Sequence, residues 1–524
     1  MKSPKKKNSN GGNGKIEKFS NQMQTLQFSA GHLKILEGKF PIEFFKDNTD
    51  FYFPAVRDLP HAFIFESKDV SKIYGRMSLI GFDPVLKVSG KNEKFEIEVL
   101  NSRGKKFFQE ISQQDFPQAK SFEKTSRKIS GEIPKQQGFF PEQERPKRRT
   151  IADALRLVLG KFATNEKSLL GLFGAFSFDF VRLFEDLPNE NPESQVDDFC
   201  FFLFDSFLHF DLLRQRAHCV LFRENEKLLR SDFQELQSRF ARKKAKDSQG
   251  FTITNAKFDL EKKEFVALVE QARDLARRGE LFEVVFSRTL SADFSGDPFA
   301  LFEKYRDKNP SPYMFFFDFG ENEFLVGASP EMMLRVENGL VHTRPISGTR
   351  KRGTDPVSDH ENLLELLSSK KERAELDMLI DLGRNDLARI CEGGVKLCEY
   401  RTVEKYSRVM HTVAHVTGKL QKKFSALDAF ISCANAGTLT GAPKVAAMCE
   451  IEKHEKTRRG FYGGAIGYFS FADEADTGII IRTAHIANGK LTFRSGATLL
   501  FDCDPAQEFL ETENKARAFL DLLT

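Results

Sequence analysis

The alternation of apolar and polar positions divides the chain into many short strands and a few amphipathic helices. HAFIFES (61–67) and SFLHFDLL (206–213) alternate or run apolar, as strands do. KKEFVALVEQARDLARRGE (262–280) instead repeats its apolar residues at helical spacing. Phe265, Leu268, Val269, Ala272 and Leu275 fall on one stripe, and Gly279 supplies a stop. LFEVVFSRTL (281–290) reads as the strand that follows, and RAELDMLIDLGRNDLARI (373–390) as a helix interrupted at Gly383. YGGAIGYFSF and TGIIIRTAHIANGKLTFRSGATLLF read as strands joined by turns such as Asn488-Gly489. Helices and strands intermix throughout, which predicts an α/β or α+β protein with a large sheet.

Two polar stretches break the pattern. Residues 101–150 carry 12 Lys or Arg against 6 acids, with scattered Gln, Ser and Pro, and read as a long surface insertion or linker. Residues 239–257 (RFARKKAKDSQGFTITNAK) read as a second linker, separating an N-terminal region at 19–238 from a C-terminal region at 258–524. The opening MKSPKKKNSNGGNGK is basic but has no apolar segment behind it, so it is not a signal peptide. Its Lys, Asn and Gly content predicts a disordered tail over 1–18.

Composition narrows the class. Hydrophobic residues make up 40% and charged residues 29%, as in soluble proteins. The apolar runs are broken by charge, as Asp179 and Arg182 break 168–184, and none reaches the ~18–20 residues of a membrane helix. The formal net charge is +4, but the first 18 residues alone carry +5, leaving the body near −1, so nucleic-acid binding has little electrostatic support. Seven widely spaced cysteines without a Cys-x-x-Cys pair fit a reducing cytoplasm and argue against disulfides or structural zinc.

Candidate chemistry concentrates in 340–524. Glu375 lies in the first turns of its helix, and Glu508 and Glu511 are three apart, on one face of a terminal helix. Carboxylates from two separate helices suit Mg2+, an oxygen-seeking ion that keeps positions open for water and substrate. PISGTR (345–350), NAGTLTGAPK (435–444), RRGFYGGAIGY (458–468) and RSGATLL (494–500) place Gly beside Thr, Ser or Lys. They read as turns whose backbone N–H groups approach an anion. Arg482, in the strand IIIRTAH, offers a fork matched to a carboxylate. These residues alone describe an enzyme that binds a small carboxylate with Mg2+.

PISGTRKRG (345–353), AELDMLIDLGRNDLARI (374–390), KYSRVMHTVAHVTG (405–418), GTLTGAPK (437–444), RRGFYGGAIGY (458–468) and DPAQEFLETENKA (504–516) together resemble the signature series of the chorismate-utilising enzymes, in order and spacing. The resemblance is dense over 258–524. Thinner matches at FIFES (63–67), GRMSLIGFDP (75–84), FSFDFVRLFEDLP (176–188) and NPSPYMFF (309–316) are similar to anthranilate synthase component I chains. The resemblance implies a large mixed or antiparallel β-sandwich flanked by helices.

It also implies roles. Glu375 and Glu511, with Glu508 close by, would hold Mg2+ against the ring carboxylate of chorismate. Gly348 and Thr349 would contact the substrate, while Tyr462, Arg482 and the backbone of Gly496, Ala497 and Thr498 would hold its carboxylates. Thr438 and Lys444 lie in the adjoining turn, and His411 would be the acid/base residue near the ring. The implied reaction adds ammonia at ring carbon 2, expels the carbon-4 hydroxyl, and then eliminates pyruvate to give anthranilate. Glu66, Ser67, Pro312, Tyr313 and Met314 resemble the halves of a tryptophan feedback site.

Two positions bear on the branch of the family. Ser347 stands where aminodeoxychorismate synthases commonly carry a nucleophilic Lys, and Glu283 where isochorismate and salicylate synthases carry a Lys that activates water. Both favour ammonia addition at carbon 2, with aminodeoxychorismate synthase or another chorismate-utilising enzyme as the alternative. Thr498, Ala446 and Leu376 depart from residues common in component I chains. Nothing after the ETENKA motif resembles an amidotransferase, and no Cys sits in a nucleophile turn. The expectation is a hetero-oligomer fed by a separate glutamine amidotransferase subunit, or use of free ammonia.

Overall fold

Strands such as Gly171–Phe176 and Phe199–Phe204 are buried along their whole length. That is possible only for a strand covered on both faces. The computed structural model describes residues 23–68, 77–242, 250–406 and 408–523. Among these, the strands form two thirteen-stranded sheets with antiparallel pairings. The sheets pack face to face. Phe63 of the first stacks on Phe173 of the second at 5.2 Å and meets Phe204 edge-on at 4.8 Å, within one continuous apolar core.

Helices cover the outer face of the first sheet. Phe233 of the helix Glu226–Ala241 stacks on Phe40 at 4.1 Å. Phe519 of the terminal helix Pro505–Leu520 stacks on Phe493 at 4.3 Å and meets Tyr305 of the helix Pro298–Lys308 at 5.7 Å. The helix Lys262–Arg277 buries the five apolar residues of its stripe, and Gly279 follows with a φ of 75°.

Both halves of the chain build both sheets. In the first sheet, Phe63–Glu66 joins Tyr313–Gly320, with Glu66 opposite Met314. In the second, Gly171–Phe176 joins Ala465–Ser470, with Ala175 opposite Ile466. The regions 19–238 and 258–524 therefore interleave instead of forming separate layers. The basic tail at 1–18 lies outside the described residues, as do 243–249 within the 239–257 stretch and the start of GRMSLIGFDP.

Three readings of local structure are corrected. The stretch 101–150 is not a loose insertion. Its strands Ser121–Lys124 and Lys128–Glu132 extend the second sheet, and Phe107, Phe108, Ile111, Phe116, Ile129 and Ile133 enter the core. A few well-placed apolar residues outweigh a polar background because burial, not average polarity, decides. The helix Lys370–Ala388 runs unbroken through Gly383. The glycine-framed segment PISGTR is a strand, Ile346–Lys351, not a turn, whereas Ala465–Ser470 and Lys490–Leu500 are the strands their apolar pattern predicts.

Candidate active site

A cavity of about 370 Å3 is walled by the strands Ile346–Lys351, Val409–Leu420, Glu283–Gly296 and Lys490–Leu500, by the helices Lys370–Ala388 and Pro505–Leu520, and by the turns around Thr438 and Tyr462. Ser369 caps the first helix by accepting from Glu372 N at 3.2 Å, and Asp504 caps the second by accepting from Ala506 N and Gln507 N at 2.9 Å. These caps set where Glu375, Glu508 and Glu511 emerge, and all three line the cavity.

His411 is fixed by its cross-strand neighbours. The register slips between Ser347 and Thr349, where Gly348 takes a φ of 72°. This irregularity brings Gly348 O within 3.1 Å and Thr349 Oγ1 within 2.9 Å of His411 Nδ1. A carbonyl only accepts, so Nδ1 carries the ring proton and Nε2 is left bare. Burial, and then the nearby Arg482, hold the His411 pKa down to about 4, so the ring is a neutral base.

The sequence pattern puts Arg482 in a strand. The structure puts it in the bend between Ala475–Ile479 and Thr483–Ala487, with a φ of 50°. Its guanidinium lines the cavity, and its carbonyl accepts from Tyr305 Oη at 3.1 Å. Past Phe493, the strand Lys490–Leu500 has lost its neighbour Thr483–Ala487 and pairs only with Glu283–Gly296. Lys515 Nζ donates to Gly496 O at 3.1 Å, so Gly496 turns its peptide groups to the open side. Alternation along the strand gives Thr498 the same aspect. Ala497 faces the apolar core and does not line the cavity with them.

Lys444 also lies off the cavity. Its Nζ donates to Asp386 Oδ2 at 2.7 Å and to Cys433 O at 2.9 Å, a buried ion pair beneath the Thr438 turn. Thr438 does line the cavity and donates to Glu331 Oε1 at 2.9 Å. Sequence reasoning passed over Glu331. Burial pushes its pKa up to about 7, so it holds a proton into the neutral range. Its signal was the strand end SPEMM, where a charged residue enters an apolar run.

Burial, followed by Glu372, pushes Glu375 up to about 7, and burial raises Glu508. Among the described residues, no three His, Cys, Asp or Glu gather closely enough to enclose a metal ion. Mg2+ needs no such cage, since one or two carboxylates with water and substrate oxygens suffice. The donors present are hard oxygens from two helices, half-buried, with Lys371 3.7 Å from Glu508 and Lys515 3.6 Å from Glu511, a set that fits a divalent cation completed by substrate and water.

A second cavity of about 270 Å3 lies at the seam between the two halves of the chain and is lined by Glu66, Ser67, Pro312, Tyr313 and Met314. Ser67 Oγ donates to Pro312 O at 2.6 Å, tying the two segments together. Glu66 already meets Arg306 at 3.4 Å and accepts from Thr49 at 3.2 Å. Tyr313 Oη donates to Asp476, which pairs with Arg335.

An antiparallel sandwich whose first cavity combines Arg482, acidic helices and a neutral histidine defines a binding site for a small, multiply anionic molecule. The family model described as chorismate binding enzyme matches residues 102–521, and the chain belongs to that family. It is 37% identical to an anthranilate synthase of Azospirillum brasilense over 86% of this chain, spanning 61% of that protein's length. It is 33% identical to anthranilate synthase component 1 of Buchnera aphidicola from Acyrthosiphon pisum, over 88% of this chain and 92% of the relative. Anthranilate synthase component I from Streptococcus pneumoniae TIGR4 superposes with a TM-score of 0.66 at 29% identity, over 86% of this chain and 93% of that one. The menaquinone-specific isochorismate synthase MenF of Escherichia coli shares the fold, with a TM-score of 0.66 at 16% identity over 97% and 98%.

Proposed function

We propose that this chain is the component I subunit of an anthranilate synthase. It would convert chorismate and ammonia to anthranilate and pyruvate, with the ammonia delivered by a separate glutamine amidotransferase. The observation that carries the reading is one cavity holding both a bare base, His411 Nε2, and a proton-bearing acid, Glu331. The reaction needs one of each. When ammonia bonds to ring carbon 2, the carbon-4 oxygen leaves and takes the Glu331 proton to depart as water. The new ammonium returns its surplus proton to Glu331; His411 then removes the proton from carbon 2, the electron pair completes the aromatic ring as the carbon-3–oxygen bond breaks, and the departing enolpyruvate takes that proton to become pyruvate. Arg482, Tyr462 and the N–H groups of Gly496 and Thr498 bind the substrate carboxylates. Ser347, whose Oγ donates to Glu372 O at 3.3 Å, provides no amine nucleophile.

Glu375, Glu508 and Glu511 are the residues that would hold Mg2+. The ion would offset carboxylate charge as the leaving group departs. Tryptophan is the ligand proposed for the second cavity, with Met314 and Pro312 facing its indole and Ser67 its ammonium. The deciding assay supplies purified protein with chorismate, Mg2+ and ammonium. Fluorescent anthranilate with equimolar pyruvate is expected. An amino-chorismate formed without pyruvate would show an aminodeoxychorismate synthase instead.

A further inference from the structure

Resting on the reading above, we propose that Arg288 is a positioning residue for the Mg2+ site: it sets how the terminal helix is turned, so that Glu508 and Glu511 face the first cavity. Side chains alternate along its strand, Glu283–Gly296. Val285 lines the cavity, whereas Val284 and Phe286 enter the apolar cluster formed with the helix Lys262–Arg277 and Phe509. Arg288 falls on this second side and is 2% exposed. A charge so deeply buried is costly unless paired and hydrogen-bonded.

The partners of Arg288 lie mostly on the terminal helix. Its guanidinium carbon sits 3.9 Å from the centre of the Phe258 ring and 4.4 Å from that of Phe509, stacked between the two. Nε donates to Thr512 Oγ1 at 2.9 Å, and Nη2 donates to Glu513 Oε1 at 2.8 Å. Thr512 in turn donates to Phe509 O at 2.7 Å. At 3.6 residues per turn, Phe509, Thr512 and Glu513 form one stripe of the helix, and Glu508, Glu511 and Lys515 form another about a third of a turn away. The second stripe lines the cavity. An apolar residue could fill the place of Arg288, but apolar contact is not directional and leaves rotation free. A planar fork clamped between two rings points its donors in fixed directions, and the helix meets both of them in one orientation. The Asp504 cap sets where the helix begins, and Arg288 sets how it is turned.

The test measures metal binding apart from turnover. Mn2+, which shares the oxygen-ligand preference of Mg2+, is titrated into the protein with chorismate present and ammonia absent, and free Mn2+ is followed by electron paramagnetic resonance. Wild type, Arg288→Met, Arg288→Lys and Thr512→Val are compared, with Tm and the Mg2+ dependence of anthranilate formation measured alongside. In Arg288→Met the Mn2+ Kd and the half-saturating Mg2+ are expected to rise together by about tenfold, with kcat at saturating Mg2+ held within about threefold. Arg288→Lys, which keeps the charge but not the fork, should recover part of the loss. Thr512→Val keeps the shape of the side chain and removes the acceptor, so it should raise the Mn2+ Kd by itself, and it carries the test if Arg288→Met fails to fold. A lowered Tm with unchanged Mn2+ affinity in the folded variants overturns the proposal and leaves Arg288 a packing residue. A wild type that binds Mn2+ no better than Glu511→Gln overturns the metal reading itself, and this proposal with it.

Discussion

At the scale of single residues, the site depends on two groups whose protonation is set by burial in opposite directions. His411 is held down to about 4 and Glu331 pushed up to about 7. The base is therefore ready throughout the neutral range, and the acid loses its proton as pH rises through about 7. At saturating ammonia, kcat/KM for chorismate should decline above that point, and the contribution of His411 should be lost only as pH falls toward 4. Glu331→Gln should lower kcat by about 10²-fold and abolish that alkaline limb. Survival of the limb would assign it to another group. His411→Met should leave the amination step and block the elimination, so the amino intermediate accumulates and pyruvate release falls. Equal loss of both steps would make His411 a positioning residue. These two groups differ in how visible they were. His411 stood out through its motif. Glu331 resembles any strand-end glutamate until the fold buries it.

At the scale of elements, the first cavity is held in shape by a buried ion pair. Arg459 Nη1 donates to Leu439 O and Nη2 to Val285 O, each at 2.6 Å, while Glu455 accepts from Arg459 at 2.7 Å and from Ser287 N at 2.9 Å. Val285, Leu439 and Tyr462 all line the cavity, so one pair ties a strand and two turns together. Glu455→Gln should cost about 3–5 kcal/mol in urea unfolding, because it leaves a buried guanidinium uncompensated. Chorismate KM should rise with it. Gly383 offers the reverse case. It is helical, and an added Cβ would meet only Thr343 Oγ1 at 3.4 Å. Gly383→Ala should therefore stabilise by about 0.5–1 kcal/mol, read as a higher Tm. The helix Lys262–Arg277 was legible because a stripe repeating every turn needs no tertiary information. The strand Ile346–Lys351 was not legible as such, since Gly348 gives a turn signal locally, and only its pairing with Val409–Leu420 reveals the ladder.

At the scale of the whole molecule, the two cavities share a pair of strands. Met332–Glu337 and Ala475–Ile479 pair with each other, carrying Arg335 and Asp476 at the second cavity. Beyond their opposite ends, Glu331 and Arg482 line the first. A ligand that shifts these strands in one cavity alters the other, and the coupling is reciprocal. Tryptophan should thus raise the chorismate KM, and chorismate should weaken tryptophan binding by the same factor. Ser67→Ala or Met314→Thr should relieve the inhibition while leaving uninhibited turnover nearly intact. Inhibition untouched by either change would place tryptophan elsewhere. The family resemblance made the sandwich legible, but the sequence read as two regions could not reveal their interleaving, because cross-seam pairs such as Glu66 and Met314 lie far apart along the chain. That interleaving also bears on how the protein is made. Until Tyr313–Gly320 and Ala465–Ser470 emerge from the ribosome, Phe63–Glu66 and Gly171–Phe176 lack a neighbour on one side. Both are apolar edges of the kind that recruit other chains. A fragment ending at Arg242 should accumulate as insoluble aggregate when expressed alone. Co-expression with residues 250–524 should return it to solution, because the second half of the chain acts as the chaperone of the first.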